Sequence, residues 1–245
     1  MDYLLPFLFL LIAFIYSSVG LGGGSSYTAL MAIFGISYQI IPTTSLTLNL
    51  IVTFIGMIHF WKNGHCRLNL IIPFLVTSIP MAYFAGSQEL PERIFNIFLL
   101  ITLIFVVIRI YLMDNLKISI QLTGIQKWIF IFSLGGVLGF IAGAVGIGGG
   151  VYLVPLIIMF GLGTEQEAAA SGAMFIWMNS LAGLIARSQI GTFDLQFILP
   201  LAIAVLIGGF GGSYLGAVKF EPKTIQKVMG SVILIAIMFL IKGLL

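Results

Sequence analysis

The segments V-G-L-G-G-G-S at Val19–Ser25 and V-G-I-G-G-G-V at Val145–Val151 share one pattern, in which a single glycine and then three consecutive glycines interrupt apolar residues. Each glycine inside a helix costs about 1 kcal/mol relative to alanine. Both copies nevertheless lie in long uncharged runs, residues 3–61 and 128–164. The sequence therefore predicts two apolar helices that are broken at matching places.

Composition places the chain in a lipid bilayer. Charged residues make up only 8% of the 245 residues, and hydrophobic residues make up 60%. A bilayer core takes about 20 helical residues per crossing, so the uncharged runs predict many spans. The runs are continuous, whereas barrel strands alternate over about ten residues. We therefore expect an all-α polytopic membrane protein with about eight to ten membrane segments, and no nucleic-acid partner.

The two halves of the chain match each other, which predicts two homologous repeats. The predicted units are membrane repeat 1 at 1–113, a polar inter-repeat loop at 114–127 and membrane repeat 2 at 128–245. The offset between matched residues grows from 126 to 127 and then to 131. The pairs are Gly20/Gly146, Gly22/Gly148, Gly23/Gly149, Gly24/Gly150, Phe34/Phe160, Gly35/Gly161 and Ser45/Ser171, then Gly64/Gly191 and Pro73/Pro200, then Pro91/Pro222 and Ile94/Ile225.

Each repeat is expected to contain an apolar helix, the glycine break, a short helix of about twelve residues and three full-length segments. Twelve residues span only about 18 Å, so this helix belongs to a broken or re-entrant element. If the element counts as one crossing, the repeats are parallel and the Lys and Arg residues divide seven against four. If both pieces change side, the repeats are inverted and the division is eight against three. The positive-inside rule favours inversion.

The breaks are also the predicted binding site. Broken helices in corresponding positions of two repeats mark the substrate site of many transporters, and N–H groups at a helix start attract anions. Close helix packing is the alternative role of such glycines, although three in succession exceed what packing needs. The predicted substrate-binding residues at the breaks are Gly20, Gly22, Gly23, Gly24, Ser25, Ser26, Tyr27, Gly146, Gly148, Gly149 and Gly150.

Further polar residues inside the apolar runs complete the predicted site. Ser45 and Ser171 either bond to their own backbone or face a central cavity, and Asn49 and Asn179 lie close to the same helical faces. Ser25 could equally cap the helix that follows it. Glu165 and Glu167 are expected to cap a helix start, with proton coupling as the alternative. Because Lys and Arg are absent from the middle of the apolar runs, we expect anion binding by N–H groups and hydroxyls instead of a salt bridge.

The doubled motif resembles the TauE/SafE family of membrane permeases, also called the sulfite exporter or sulfonate uptake family. The P-L-I-I-M-F-G-L at 155–162 and the A-A-A-S-G at 168–172 add to the resemblance, which covers nearly the whole chain. It implies secondary transport of sulfite, organosulfonates or related anions across a cytoplasmic membrane. Repeat 1 departs from the family pattern, because Ser25, Ser26, Tyr27 and Thr28 follow the glycines and Ala29 takes the place of a proline.

These observations predict a multi-pass secondary transporter of a small sulfur-containing anion in the cell membrane, working by alternating access between the repeats. An anion channel and a non-transporting membrane subunit or scaffold are the alternatives. An enzyme is not expected, since the apolar runs lack paired carboxylates or a nucleophile with its base. No cofactor or metal site is predicted, no ATP-binding motif is present, and H⁺ or Na⁺ is the candidate coupling ion. The sequence leaves the oligomeric state open.

Overall fold

A computed structural model describes residues 4–17, 21–112, 124–189 and 193–216, and within 230–242 it describes 230–231, 233–235, 237–238 and 240–242. Regular structure in these ranges is helical throughout. The helices are α1 (Leu4–Ser17), α2 (Gly24–Ile33), α3 (Ile41–Lys62), α4 (Leu68–Gly86), α5 (Glu92–Leu112), α6 (Gly124–Val145), α7 (Gly150–Met159), α8 (Glu165–Arg187) and α9 (Leu195–Gly216), followed by the apolar stretch Ile233–Lys242.

Long apolar helices dominate the bundle, as the composition predicts. Within the described residues, five helices are long and apolar enough to cross a membrane, namely α3, α4, α6, α8 and the Leu195–Ser213 part of α9. Large apolar side chains such as Leu112, Phe210 and Ile125 are more than 60% exposed on the outside of the bundle. This outer surface is suited to lipid tails.

Two short helices follow the glycine breaks and turn back along the helix before them. Leu5 at the start of α1 and Phe34 just after α2 line the same apolar cavity. In the second half, the rings of Phe130 in α6 and Phe160 just after α7 pack with centroids 4.9 Å apart. Each break is therefore the tip of a hairpin whose second arm returns toward the side on which the first arm began.

Glycines let helices from the two halves pack closely and in the same direction. A Cβ atom at these glycines would meet the backbone of the facing helix, so only glycine fits. The facing pairs, in chain order, are Gly135 and Phe74, Gly139 and Ser78, Gly143 and Ala82 for α6 on α4, and Gly208 and Leu10, Gly212 and Phe14 for α9 on α1. Residue numbers rise together in both sets, which shows that each pair of helices is parallel.

The central helices α3 and α8 cross in opposite directions. Three contacts join them, namely Leu46 with Gly183, Phe54 with Trp177 and Gly56 with Ala173. Along these contacts the residue number rises in α3 and falls in α8. Helix α8 runs parallel to α4, because Arg67 meets Glu167 near their starts and Gly86 meets Ala186 near their ends. Helix α9 runs with α3, since Gln196 shares a cavity with Ile36 while Gly209 faces Val52. Thus α1, α3 and α9 point one way, and α4, α6 and α8 point the other.

Three local details differ from or confirm the sequence predictions. The two short helices have ten residues each instead of about twelve. Helix α6 begins at Gly124, so residues 124–127 of the predicted loop are helical, while 114–123 lie outside the described residues. The capping role of Glu167 is confirmed, because Thr164 and Glu167 form a reciprocal capping box at the start of α8.

Candidate functional site at the glycine turns

The two breaks contact each other inside the helix bundle. The first glycine turn, residues 21–24, leads into α2, and the second glycine turn, residues 146–150, leads into α7. A Cβ atom at Gly24 would lie only 2.6 Å from the carbonyl oxygen of Ile147, so no side chain fits between the turns. Every residue of both turns is buried. The turns form one enclosed junction between the two halves of the chain.

Ser45 in α3 links the two turns. Its hydroxyl lies 2.7 Å from the carbonyl oxygen of Gly146 and 3.4 Å from that of Gly24, and it is fully buried. The hydroxyl therefore bonds across the junction and not to the backbone of its own helix. A polar side chain thus holds together two backbone segments that consist mostly of glycine.

Asn49, one helical turn further along α3, places an amide at the junction. Its Nδ2 donates a long bond of 3.4 Å to the carbonyl oxygen of Gly146. Its Oδ1 lies 2.7 Å from the position a Cβ would take at Gly22 and is buried with no hydrogen-bond partner among the described residues. An amide oxygen left in this state costs free energy unless a donor reaches it. Asn49 Oδ1 is therefore placed to accept a hydrogen bond from a donor group that enters the junction.

Ile176 in α8 closes the other side of the junction. Its side chain lies within 2.7 Å of the Cβ position at Gly148 and 3.1 Å of that at Gly22. At Gly150 the Cγ1 atom is closer still, within contact distance of the α7 start. The junction thus has one polar wall, from Asn49, and one apolar wall, from Ile176.

The helix starts at the junction present free N–H groups. In α7 the described backbone bonds begin with Tyr152 and Leu153, whose N–H groups donate to Gly149 O at 3.1 and 3.3 Å. The N–H groups of residues 147–150 donate to none of the described backbone carbonyls, and the same holds for 22–24 before α2. The N-cap residues are Gly23 and Gly149, with φ of 86° and 75° and no capping side chain. Two positive helix ends therefore meet in one buried place.

The serines after the first turn have partners of their own. The hydroxyl of Tyr16 lies 3.1 Å from that of Ser25 and 2.7 Å from that of Ser26. The helix-cap interpretation of Ser25 is wrong, because Gly23 is the N-cap and no side chain bonds the free N–H groups there. These contacts tie α2 to α1 near the hairpin tip, and a binding role for Ser25 or Ser26 stays a prediction.

Tyr27 is brought to the first glycine turn. Its ring stacks on Phe9 with centroids 4.8 Å apart, and its hydroxyl lies 2.9 Å from the Cβ position at Gly23. The hydroxyl is buried and has no hydrogen-bond partner among the described residues. Tyr27 is therefore a second uncommitted polar group beside the junction.

The remaining predicted residues are less directly placed. Asn179 donates through Nδ2 to Phe175 O at 2.8 Å, so its described hydrogen bond stays inside α8. Ser171 is buried with no described partner for its hydroxyl, and Gly20 lies outside the described residues. Sequence reasoning missed Ser180, whose unpaired hydroxyl lies 3.4 Å from the Cβ position at Gly148. As a hydroxyl inside an apolar run, it carried the same sequence signal as Ser171.

Sequence comparison identifies the family to which the chain belongs. The family model described as sulfite exporter TauE/SafE matches residues 5–240. The chain belongs to the TauE/SafE family. Both glycine turns, and the α3 and α8 residues that line the junction, lie inside the matched range.

TauE/SafE relatives of similar length carry transporter names. The chain is 32% identical over 231 residues to probable membrane transporter protein y4hK of Sinorhizobium fredii, with 93% of both chains covered. It is 25% identical to YjnA of Bacillus subtilis, covering 89% of this chain and 91% of YjnA, and 25% identical to MJ0441 of Methanocaldococcus jannaschii, covering 94% and 92%. Both are also named as probable membrane transporter proteins. No solved structure gives a significant match.

These findings make the chain an integral membrane protein of a transporter family and point away from an enzyme. One charge in this TauE/SafE protein lies inside the bundle, although the sequence analysis counted it only among the basic residues divided between the two sides of the membrane. Arg187, the last residue of α8, is only 7% exposed and donates from Nη2 to the carbonyl oxygen of Ala144 at 2.8 Å. The Arg187 guanidinium is therefore bonded to a residue two positions before the second glycine turn, although the apolar run that contains this turn has no Lys or Arg of its own.

Proposed function

We propose that the protein is a secondary transporter of a small sulfur-containing anion, such as sulfite or an organosulfonate, and that the junction of the glycine turns is its binding site. The observation that carries the proposal is the meeting of two helix N-termini in one buried junction, with N–H groups that donate to none of the described backbone carbonyls. Such N–H groups favour an anion without any salt bridge. The TauE/SafE membership supports a sulfur-containing substrate.

Inverted repeats supply a mechanism for this function. Each of α1, α3 and α4 points opposite to the helix in the same position of the second half, α6, α8 and α9. This pattern of directions supports inverted repeats, in which an axis across the helix directions relates the two halves. Rocking of one half against the other would expose the junction to each side in turn. A H⁺ or Na⁺ gradient would supply the energy.

The charge distribution orients the proposed transporter in the cell membrane. For inverted repeats, the order of residues along the sequence assigns eight basic residues to one side of the membrane, namely Lys62, Arg67, Arg109, Lys117, Lys127, Lys219, Lys223 and Lys227. It assigns Arg93, Arg187 and Lys242 to the other side. The positive-inside rule then places the face with the α3–α4 connection in the cytoplasm.

Transport by purified protein in liposomes tests the proposal. Uptake of radiolabelled sulfite, taurine and sulfoacetate would be measured against chloride and alanine, with and without imposed H⁺ and Na⁺ gradients. We expect saturable uptake of at least one sulfur anion and a loss of at least about tenfold in Asn49→Leu, which keeps the number and branching of the side-chain heavy atoms but removes the amide.

A matched control separates the site from general effects of removing a buried polar group. Thr102→Val deletes a buried hydroxyl whose bond stays within α5, to the Leu99 carbonyl oxygen, and it should transport like the wild type. Uptake of alanine in preference to every anion would overturn the anion assignment. Equal uptake by Asn49→Leu and the wild type would remove the junction as the binding site. Flux that does not saturate would indicate a channel, and no flux of any solute would favour a non-transporting subunit.

A further inference from the structure

Arg187 is a buried charge beside the second glycine turn. Among the described residues it is the one buried residue with an ionised side chain. Its Nη2 bonds to Ala144 O, near the end of α6, and the chain enters the second turn at Gly146. Because α8 runs parallel to α4, Arg187 lies at the end of the bundle marked by Gly86, away from the α3–α4 connection.

The guanidinium has no negative partner in the described part of the chain. The ion pair found there, Arg67 with Glu167 at 3.8 Å, joins residues at the other end of α8. The Nε atom of Arg187 is buried and bonds to none of the described groups. The C-terminal ends of α6 and α8 offer partial negative charge, equivalent to roughly half a charge each. A buried cation with one carbonyl partner carries an unmet desolvation cost.

We propose that Arg187 binds a free small oxyanion on its way to the glycine turns. The Nε–H and an Nη N–H of a guanidinium form a planar fork that matches two oxygens of a sulfite or sulfonate group. The bound anion supplies the missing negative charge, and Ala144 connects this position to the turn at Gly146. The route to the turns rests on the proposed function above, whereas the binding of an oxyanion at Arg187 does not.

Equilibrium binding to the full-length protein tests the site. Detergent-purified wild type, Arg187→Gln and Arg187→Lys would be titrated with methanesulfonate and with sulfite, following the thermal unfolding midpoint, with choline as a cationic control. We expect the apparent Kd for both anions to rise at least about tenfold in Arg187→Gln, which corresponds to one lost charge-assisted hydrogen bond. Arg187→Lys keeps the charge without the fork and should give an intermediate Kd.

Other outcomes would overturn the assignment. If both variants unfold at lower temperature while the Kd is unchanged, Arg187 only caps α6. If Arg187→Gln does not fold, an Arg187→Lys protein with wild-type Kd decides against the fork. In a third outcome, phosphatidylglycerol in nanodiscs stabilises the protein in an Arg187-dependent way while the free anions do not. That result would assign the position to a lipid phosphate and overturn the proposal.

The same variants separate this inference from the proposed function. Anion uptake in liposomes with the same KM in Arg187→Gln and the wild type would overturn the role of Arg187 while the transporter function stands. Binding of methanesulfonate that depends on Arg187, in a protein that transports no anion, would support the site and overturn the transporter function. Thr102→Val should keep the Arg187-dependent binding, because its hydroxyl bonds within α5 and is not part of the guanidinium site.

Discussion

Asn49 in α3 and Ile176 in α8 face each other across the glycine turns, and both contact the same two glycines. The Cβ position at Gly22 lies 2.7 Å from Asn49 Oδ1 and 3.1 Å from Ile176 Cγ2. The Cβ position at Gly148 lies 2.7 Å from Ile176 Cγ2 and 3.1 Å from Asn49 Nδ2. An amide and an aliphatic side chain therefore occupy matching places in the two halves, and the junction is polar on one side only.

This asymmetry predicts that the amide can be moved from one half to the other. Ile176→Asn should place a second amide against Gly148 and Gly150, and the double variant Asn49→Ile with Ile176→Asn should keep one amide in the junction. We expect Asn49→Ile alone to lose uptake. The double variant should recover at least about a tenth of the uptake that was lost. Initial rates of sulfite or taurine uptake in liposomes measure this.

The control for the exchange is a substitution of the same kind on the other face of α8. Ile185 is half exposed to the outside of the bundle, so Ile185→Asn introduces an amide without approaching the turns. It should not rescue Asn49→Ile. A double variant at positions 49 and 176 that is no more active than Asn49→Ile would show that the two positions are not interchangeable.

The glycines of the turns should differ in cost according to what surrounds them. Gly148→Ala forces an alanine to a φ of 80° and sets its Cβ 2.7 Å from Ile176, so we expect a loss of at least about 2 kcal/mol in stability. Gly56→Ala lies in the middle of α3 with its nearest neighbour 3.9 Å away. It should be neutral or stabilise by about 0.5–1 kcal/mol.

Thermal unfolding in detergent measures the difference between the two alanine variants. Both variants replace one glycine with alanine, so the change in unfolded-chain entropy is matched. A Gly148→Ala protein as stable as Gly56→Ala would mean that the second turn is loose enough to absorb a side chain. The close fit of the junction would then be wrong.

Ser45 should couple the two turns more than any other single hydroxyl. Ser45→Ala removes the 2.7 Å bond to Gly146 O and the contact with Gly24 O, and we expect a loss of about 1 kcal/mol together with a lower uptake rate. Thr47→Val removes a hydroxyl that bonds within α3 to Thr43 O at 2.8 Å. It should leave uptake unchanged, and equal effects of the two variants in the liposome assay would deny Ser45 a special role.

The glycine motifs were sufficient to predict broken helices, their location and the short helices after them. The penalty for glycine in a helix acts locally, so the sequence pattern alone carries it. The contact of Asn49 with both turns was within reach of the same reasoning, because Ser45 and Asn49 share a helical face. The place of Ile176 was harder to predict, because the glycine motifs match at an offset of 126 and Ile176 lies at an offset of 127 from Asn49. In the structure, Ile176 takes the place at the junction that corresponds to that of Asn49.

Arg187 could not be placed from the sequence, because a basic residue at a helix end looks the same whether it faces water or the bundle. Its burial depends on Gly183 and Gly143, which let α8 and α6 approach with 3.4 Å between Gly143 Cα and the Cβ position at Gly183. Likewise Ser25 has the right type and position for a cap, but the Tyr16 hydroxyl, from another helix, is its neighbour. Contacts between helices determine both the burial of Arg187 and the hydrogen-bond partner of Ser25, and a single sequence does not reveal such contacts.

The inverted arrangement predicts that the α3–α4 and α8–α9 connections lie on opposite sides of the membrane. Cys66 is the single cysteine of the chain and lies in the first connection, and Ser188 is exposed at the start of the second. A membrane-impermeant maleimide should label Cys66 only in inside-out vesicles, and Ser188→Cys in a Cys66→Ser background only in intact cells. Parallel repeats would give both cysteines the same sidedness, which would contradict the inversion.

The labelling conditions follow from the surroundings of the thiol. Partial burial raises the pKa of Cys66, so less of it is thiolate at neutral pH than for a free cysteine. Labelling of Cys66 should therefore speed up as the pH rises through the alkaline range, and reaction times must be set in permeabilised membranes first. If Cys66 reacts fully from outside intact cells, the basic face is not cytoplasmic, and the orientation from the positive-inside rule is reversed.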